Sequence, residues 1–222
     1  MGAVKAILGE KALKDRTYMQ AHGTGTPQNR VTESHIFDAM ASAFGIDHWP
    51  VAAIKAYLGH SLACASGDQV IASLGVWQDG IIPGIVTSER IADDVHQDHL
   101  NFLLSHYVDA PDRMQAALIN SKGFGGNNAT AALLSPAVTR AMLEKRHGKA
   151  ALVAHDKAHE AVAERTRQYD EDCIEGKTEL IYRFGEGVIE GPALKINENE
   201  ISIPGLDQPI NLAIKTPFED ML

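Results

Sequence analysis

Residues 18–30, YMQAHGTGTPQNR, end a short apolar run on His22 and continue into a turn of glycine, threonine and proline. The run from Thr17 to Ala21 predicts a buried strand. Glycines let the backbone of the turn approach a ligand closely, and the threonines add hydroxyl donors. An ordinary strand-to-helix connection is the alternative, whereas a P-loop is disfavoured because its Gly-Lys-Ser/Thr ending is absent.

A second polar turn follows the apolar run 51–57, which predicts another strand. Lys55 lies inside this run and needs a partner, because an unpaired charge is costly to bury. His60 comes where a helix rich in small residues, 61–80, begins. The positive end of the helix dipole favours a neutral imidazole there, and a neutral ring can donate an N–H to an oxygen that gains negative charge. A core histidine satisfied by backbone groups is the alternative.

The third turn is NSKGFGGNNA, residues 120–129, between the apolar runs QAALINS and NATAALLS. The two runs predict an antiparallel pair of strands. Three glycines around Phe124 expose backbone amides in the turn. A dinucleotide-binding loop is disfavoured because the spacing is not GxGxxG and a strand, not a helix, follows.

The rest of the chain divides at Pro136. Before it the pattern alternates helices and strands, which predicts the α/β class. After it come charged helices and then β-like segments, which predict a small appended meander. The expected domains are 1–136 and 137–222. The other predicted elements are an amphipathic helix over 3–14, a helix from Thr32 or Ser34 to Gly45, a strand over 81–86, helices over 137–175 with a break at Gly148, and the meander from Thr178 onward.

Composition limits the class of protein further. The 222 residues carry a net charge of −9, which argues against nucleic-acid binding. Two cysteines do not make a disulfide framework, and no apolar run is long enough to span a membrane. The N-terminus lacks the pattern of a signal peptide. A cytoplasmic protein is therefore expected.

Taken in order, the three turns resemble the β-ketoacyl synthases of the thiolase superfamily. The matching segments are AHGTGTP, a lysine five residues before GH, and NSKGFGGNNA, with Glu33 eleven residues after His22. The resemblance covers residues 3–136 and does not reach the last third. It implies a thiolase-like half-domain, a mixed β-sheet with a buried central helix, followed by a small α+β appendage.

The resemblance implies an acyltransferase of fatty acid biosynthesis that condenses malonyl-acyl carrier protein with an acyl thioester and releases carbon dioxide. No cofactor or metal is implied, because the substrate arrives on the phosphopantetheine of acyl carrier protein. The implied catalytic residues are His22 and His60, which stabilise an enolate, Lys55 near His60, Glu33 as the buried partner of Lys55, and Phe124 as gate and oxyanion-hole residue. The implied substrate-binding residues are Thr24, Thr26, Gly123 and Gly125.

Two departures from the family matter. Many members carry phenylalanine where this chain has Lys122, which indicates a divergent subgroup such as the FabY-type synthases. The half of the fold that holds the nucleophilic cysteine is absent, and neither cysteine replaces it. Cys64 is predicted to pack in the core, and Cys173 has no basic context that would activate it. The chain is therefore interpreted as the C-terminal part of a synthase, inactive alone.

The expected partners are acyl carrier protein, the missing N-terminal half and a second copy in a dimer, because an exposed apolar face favours association. The alternatives are a non-catalytic synthase-like subunit and a polyketide ketosynthase fragment. A thiolase proper is disfavoured because no second cysteine stands at 120–128. No metal site is predicted, because the remaining histidines lack ligand spacing.

Overall fold

The computed structural model describes residues 1–178, 181 and 183–213, except for the side chain of Phe124. The chain forms two compact units, Met1–Lys157 and Ala158–Leu222. The helices are α1 Gly2–Leu8, α2 Glu10–Asp15, α3 Pro27–Phe44, α4 Lys55–Leu58, α5 Ala65–Asp79, α6 Pro136–His147 and α7 Lys149–Ile174. The strands are β1 Thr17–Gln20, β2 Trp49–Ala52, β3 Ile81–Ile82, β4 Leu100–Phe102, β5 Tyr107–Val108, β6 Ala116–Lys122, β7 Asn128–Leu134, β8 Lys195–Ile196, β9 Glu200–Ser202 and β10 Ile210–Asn211.

A five-stranded mixed sheet organises the first unit, in the order β4-β2-β1-β6-β7. The first four strands of this order run parallel, and β7 pairs antiparallel with β6 from Ala116–Leu134 to Lys122–Asn128. Parallel neighbours need a crossover connection, and α3 supplies it between β1 and β2. The antiparallel pair predicted on either side of the third turn is confirmed.

Successive side chains along each strand point to opposite faces of the sheet. Buried apolar residues pack against both faces. Met19 belongs to the cluster that contains Leu13 and Phe37, from α2 and α3. Its neighbour Tyr18 belongs to the cluster that contains Trp77, from α5. The fold is thus an α/β arrangement with a mixed sheet, as predicted, and it has helices on both faces of the sheet.

Helix α5 has one buried face and one exposed face. The side chains of Ala65, Gln69 and Ser73 are buried on the face toward the sheet, whereas Ile71 is 70% and Leu74 52% exposed. The small residues of this segment predicted a central helix. In the described part of the chain it is covered only toward the sheet.

Several predicted element boundaries are wrong; the strand predicted over 81–86, for example, covers only Ile81–Ile82. Three other boundaries differ for a local reason. The helix over 3–14 is interrupted at Gly9, which has a φ of 82°. Helix α3 begins at Pro27 rather than Thr32 or Ser34, because Thr26 is extended and proline is well suited to the first helical position. Strand β2 ends at Ala52, so that Lys55 begins a short helix instead of lying in a strand.

The segment after β7 agrees with the sequence pattern in its main features. The Ser135 hydroxyl accepts a hydrogen bond from the Val138 N–H and so caps α6, and Gly148 separates α6 from α7. In the second unit, β8, β9 and β10 form a small antiparallel sheet, as predicted. The start of the predicted meander, residues 178–184, lies partly outside the described residues. The division at residue 136 into two domains stays a prediction.

Candidate active site

The three polar turns lie together at the carboxyl ends of neighbouring strands. His22 follows β1 by two residues, the Lys55–His60 segment follows β2, and Lys122 is the last residue of β6. Carboxyl ends of parallel strands meet at one edge of a sheet, which is where α/β proteins bind ligands. An open cavity of about 1430 Å³ lies there. Its lining includes the predicted site residues His22, Thr24, Thr26, Glu33, Lys55, His60, Gly123 and Gly125.

The two predicted histidines are brought into contact. Their ring centroids lie 5.1 Å apart and their planes are nearly perpendicular, at 83°. The His22 side chain is buried, with only 4% of its surface exposed, whereas His60 is exposed. The rings therefore share one cavity although they come from separate turns.

His22 has its ring orientation set by Lys55. The Nζ of Lys55 lies 3.4 Å from the Nδ1 of His22, and an ammonium can only donate. Nδ1 of His22 is then the acceptor and Nε2 carries the proton. Burial, followed by the positive charge of Lys55, lowers the pKa of His22 and keeps the ring neutral. Burial also lowers the pKa of Lys55 itself. Lys55 was expected near His60; it contacts His22, whose ring lies against that of His60.

His60 has its ring orientation set by a bond within its own turn. Its Nδ1 accepts a hydrogen bond from the Leu62 N–H at 3.1 Å, which leaves the proton on Nε2. This bond depends on the backbone of Leu62, which has a left-handed φ of 59°. Residues other than glycine rarely adopt such a φ. A local bond, rather than the start of α5 at Ala65, therefore sets the tautomer of His60.

Glu33 holds the backbone of the first turn by hydrogen bonds. Its buried carboxylate accepts four hydrogen bonds, two from backbone and two from side-chain amides. The donors are the His22 N–H at 2.7 Å, the Gly23 N–H at 3.0 Å, Asn29 Nδ2 at 3.0 Å and Asn120 Nδ2 at 2.7 Å. The predicted contact of Glu33 with Lys55 is wrong, because these amides surround the carboxylate. Glu33 reaches Lys55 only as a more distant charge, which opposes the effect of burial on the Lys55 pKa.

Gln69 joins the first and third turns and was not predicted. Its Nε2 donates to the backbone carbonyls of Gln20 at 3.1 Å, Ala21 at 2.8 Å and Asn120 at 3.1 Å. Asn120 also donates to Glu33, so that two bonded chains connect the turns. The sequence signal available for this role was a glutamine among the small residues of a predicted helix.

The third turn is a glycine hairpin. Gly125 and Gly126 have φ values of 78° and 85°, which glycine adopts without strain. The Gly123 N–H donates to the Asn127 carbonyl at 2.9 Å and closes the hairpin. The predicted role of Phe124 concerns a side chain outside the described residues. Thr24 and Thr26 also line the cavity, and their exposed hydroxyl oxygens lie 3.5 Å apart.

Glycine is required at position 23 of the first turn. Gly23 has a φ of 57°, and a Cβ added there would lie 2.7 Å from the Cβ of Ala53. The backbone of the first turn therefore lies against the segment after β2, which brings the two histidine-bearing turns close together.

A loop over residues 85–99 forms one wall of the cavity and is fastened to α3. Arg30 makes two bonds with Asp94, at 2.8 and 2.9 Å. The Ser34 hydroxyl accepts from the His96 N–H at 3.1 Å, and further along Asp38 accepts from the His99 N–H at 2.8 Å. The three helix residues are spaced four apart, so they present one face to the loop.

The cysteines do not supply a nucleophile to the site. Cys64 is exposed, so its predicted place in the core is wrong for this chain, and Cys173 is exposed as well. Within residues 1–178, 181 and 183–213, no group of three or more His, Cys, Asp or Glu side chains could hold a metal ion. None of the helices in the described part of the chain has the length and apolar character needed to cross a bilayer.

Comparison with known proteins agrees with this geometry. Residues 3–89 match the family model "Beta-ketoacyl synthase, C-terminal domain". The chain therefore contains a β-ketoacyl synthase C-terminal domain and has the thiolase fold of the ketosynthases. In particular, it is 46% identical to the β-ketoacyl-[acyl-carrier-protein] synthase FabY of Pseudomonas aeruginosa over 217 residues, which is 97% of this chain and 34% of FabY.

The likeness extends to solved structures and to other relatives. The crystal structure of the ketosynthase FabY from P. aeruginosa matches with a TM-score of 0.81 and 44% identity, over 100% of this chain and 34% of that chain. The 3-oxoacyl-[acyl-carrier-protein] synthase 1 of Escherichia coli K12 is 34% identical over 114 residues, which is 51% of this chain and 26% of that protein. The matched part of the chain thus spans 34% and 26% of the length of these two relatives. The expectation that the likeness stops before the last third is wrong, because FabY shares that region.

Proposed function

We propose that this chain supplies the two-histidine part of the active site of a β-ketoacyl-[acyl-carrier-protein] synthase of fatty acid biosynthesis. One observation carries the proposal. His22 and His60 share a cavity with ring centroids 5.1 Å apart, and each accepts a hydrogen bond on Nδ1. Each ring therefore presents an Nε2–H donor, which is the arrangement that stabilises a developing oxyanion.

The proposed reaction begins with malonyl thioester on acyl carrier protein. The bond to the carboxyl carbon breaks, carbon dioxide leaves, and the electron pair forms an enolate whose oxygen accepts the Nε2–H bonds of His22 and His60. The enolate carbon then attacks an acyl thioester held on a cysteine, and the thiolate leaves. This cysteine comes from another part of the synthase, because the described cysteines of this chain lie outside the cavity lining.

The other predicted residues have supporting roles in the proposal. Lys55 keeps His22 in its neutral form, and Glu33 holds the backbone of His22 in place. Thr24 and Thr26 are placed to hydrogen-bond the phosphopantetheine arm, since they lie exposed at the cavity. Gly123 and Gly125 allow the thioester to approach the hairpin, and Phe124 gates the acyl pocket and adds a backbone donor. No metal or further cofactor takes part.

The exposed surface around His60 supports an additional protein partner. Leu58 is 60% and Leu62 71% exposed on either side of His60 in sequence, and Ile71 on α5 is 70% exposed. Exposed apolar groups of this kind favour a protein interface. We propose that the cysteine-bearing half of the synthase covers this face, that the enzyme is a cytoplasmic dimer, and that this chain alone is inactive. Residues 1–136 form the ketosynthase part and 137–222 the appendage.

The test is to co-express this chain with the first two thirds of the P. aeruginosa FabY and to follow malonyl-acyl carrier protein decarboxylation and condensation. Both activities are expected in the assembly and absent from either piece. His22→Ala and His60→Ala are expected to abolish both, whereas His147→Ala, at the end of α6, serves as the matched control. Decarboxylation that survives either active-site variant would contradict the proposal. An assembly without activity would favour a non-catalytic synthase-like subunit.

A further inference from the structure

The cavity is basic although the chain is acidic. The described residues that line it include four cations, Arg30, Lys55, Arg90 and Lys122, and one carboxylate, Glu33. The whole chain has a net charge of −9. A basic cavity in an acidic protein favours an anionic ligand.

Most of these charges already have partners. The carboxylate of Glu33 is occupied by four N–H donors, and Arg30 is paired with Asp94. Lys55 faces the neutral ring of His22. The ammonium of Lys122 donates to the hydroxyl of Thr32 at 2.6 Å, which is a neutral acceptor and uses one of its three donors. Lys122 therefore has charge and donors left for a ligand.

Lys122 also lies close to the reacting end of the proposed substrate. It is the last residue of β6 and comes directly before the glycine hairpin. Two residues earlier on the same strand, Asn120 bonds the Glu33 that holds the His22 turn. The positive charge of Lys122 contributes to lowering the pKa of His22. A group bound by Lys122 would thus lie at the thioester end of the substrate, not along its pantetheine arm.

We propose that Lys122 binds the carboxylate of the malonyl group and so makes the site prefer malonyl over uncharged acyl thioesters. This inference rests on the proposed function. The ammonium orients the carboxylate by a charge-assisted hydrogen bond and transfers no proton. When the bond to the carboxyl carbon breaks, the negative charge moves to the thioester oxygen and neutral carbon dioxide leaves Lys122.

The experiment uses the 222-residue chain and measures binding by calorimetry. The probes are malonyl-pantetheine, acetyl-pantetheine, which lacks the carboxylate, and acetyl-4′-phosphopantetheine, which carries a phosphate instead. The wild-type chain is expected to bind malonyl-pantetheine about tenfold more tightly than acetyl-pantetheine, as one hydrogen bond to a charged group provides. Lys122→Met is expected to remove this preference without changing acetyl-pantetheine binding. Lys122→Arg is expected to retain it.

A structural role of Lys122 predicts a different result, since Lys122→Met would then weaken both thioesters equally. Thr32→Val removes the hydroxyl partner, keeps the ammonium and is expected to retain the preference. A preference that persists in Lys122→Met overturns the assignment of Lys122 and leaves the proposed function standing. A gain of affinity for acetyl-4′-phosphopantetheine that depends on Lys122 would identify phosphate as the anion and also overturn it. Lack of saturable binding of both pantetheine thioesters to the wild-type chain also overturns the assignment of Lys122, whereas the activity of the co-expressed assembly tests the proposed function separately.

Discussion

The two histidine-bearing turns differ in how the chain holds them. The His22 turn is buried, and Glu33 and Gln69 bind its backbone from two sides. The His60 turn is exposed and is held by local bonds, from Leu62 to His60 and between Ser61 and Asp68. One histidine is therefore positioned by the core of this chain, and the other lies on a surface that remains to be covered.

The first prediction breaks the support of the His22 turn. Glu33→Gln replaces one carboxylate oxygen by an NH₂ group that faces N–H donors. Unfolding free energy is expected to fall by about 3 kcal/mol, because buried hydrogen bonds to a charged group are lost. Urea denaturation measures the change, with Glu144→Gln on the exposed surface of α6 as the control. A loss no larger than that of the control would show that the carboxylate does not support this turn.

The second prediction separates the first turn from the hairpin. Gln69→Met keeps the length of the side chain and removes the amide that bonds three backbone carbonyls. The expected loss of unfolding free energy is about 2 kcal/mol, less than the sum of three bonds because the Oε1 of Gln69 has no partner. The exposed Gln97 offers the matched control Gln97→Met. Equal unfolding free energies of the two variants would show that the Gln69 amide does not stabilise the link between the first turn and the hairpin.

The third prediction concerns protonation of His22. Burial and the charge of Lys55 lower the pKa of His22 in the folded chain. In the unfolded chain this pKa is about 6.5, so the unfolded chain binds the proton more readily than the folded chain does. The contribution of His22 to stability is present above about pH 6.5 and is lost as the pH falls toward the lowered value. Lys55→Met removes the nearby positive charge and is expected to raise the pKa of His22, as NMR titration of the ring would measure. An unchanged or lower pKa would mean that Lys55 does not act on the ring.

The smallest effect is expected on the His60 side. His60→Ala removes an exposed ring with one local bond and should change the unfolding free energy by no more than about 0.5 kcal/mol. His22→Ala, at a buried ring, should lower it more. Measured together, the two alanine variants test the contrast between the turns directly. A larger loss of unfolding free energy in His60→Ala than in His22→Ala would contradict the contrast between the two turns.

Periodicity and turn composition predicted the main elements well. The strand before His22, the antiparallel pair around the hairpin and the helix break at Gly148 follow from local patterns that act within a few residues. Lys55 was misplaced because its apolar neighbours resemble a strand, whereas the chain turns into α4 directly after Ala53 and Ile54. Such boundaries depend on contacts outside the local window.

Partner assignments in the site could not be predicted in the same way. Lys55 needed a partner, and the family resemblance implied that this partner is Glu33. Asn29 and Asn120 instead supply the carboxylate with side-chain donors, and one of them lies 87 residues away in sequence. Cys64 was expected in the core because its helix is rich in small residues. Only the three-dimensional packing shows that this end of the segment is exposed.

The amino-acid sequence alone indicated which turns form the candidate site, since glycine, histidine and lysine at fixed spacing constrain local backbone and charge. The tertiary structure decided which groups meet, because strand order brings the ends of β1, β2 and β6 together irrespective of their separation along the chain. It also decided that Lys55 orients His22 and that Gln69 ties the first turn to the hairpin. Hydrogen bonds act over about 3 Å, so these partners are set by folded distance and not by sequence distance.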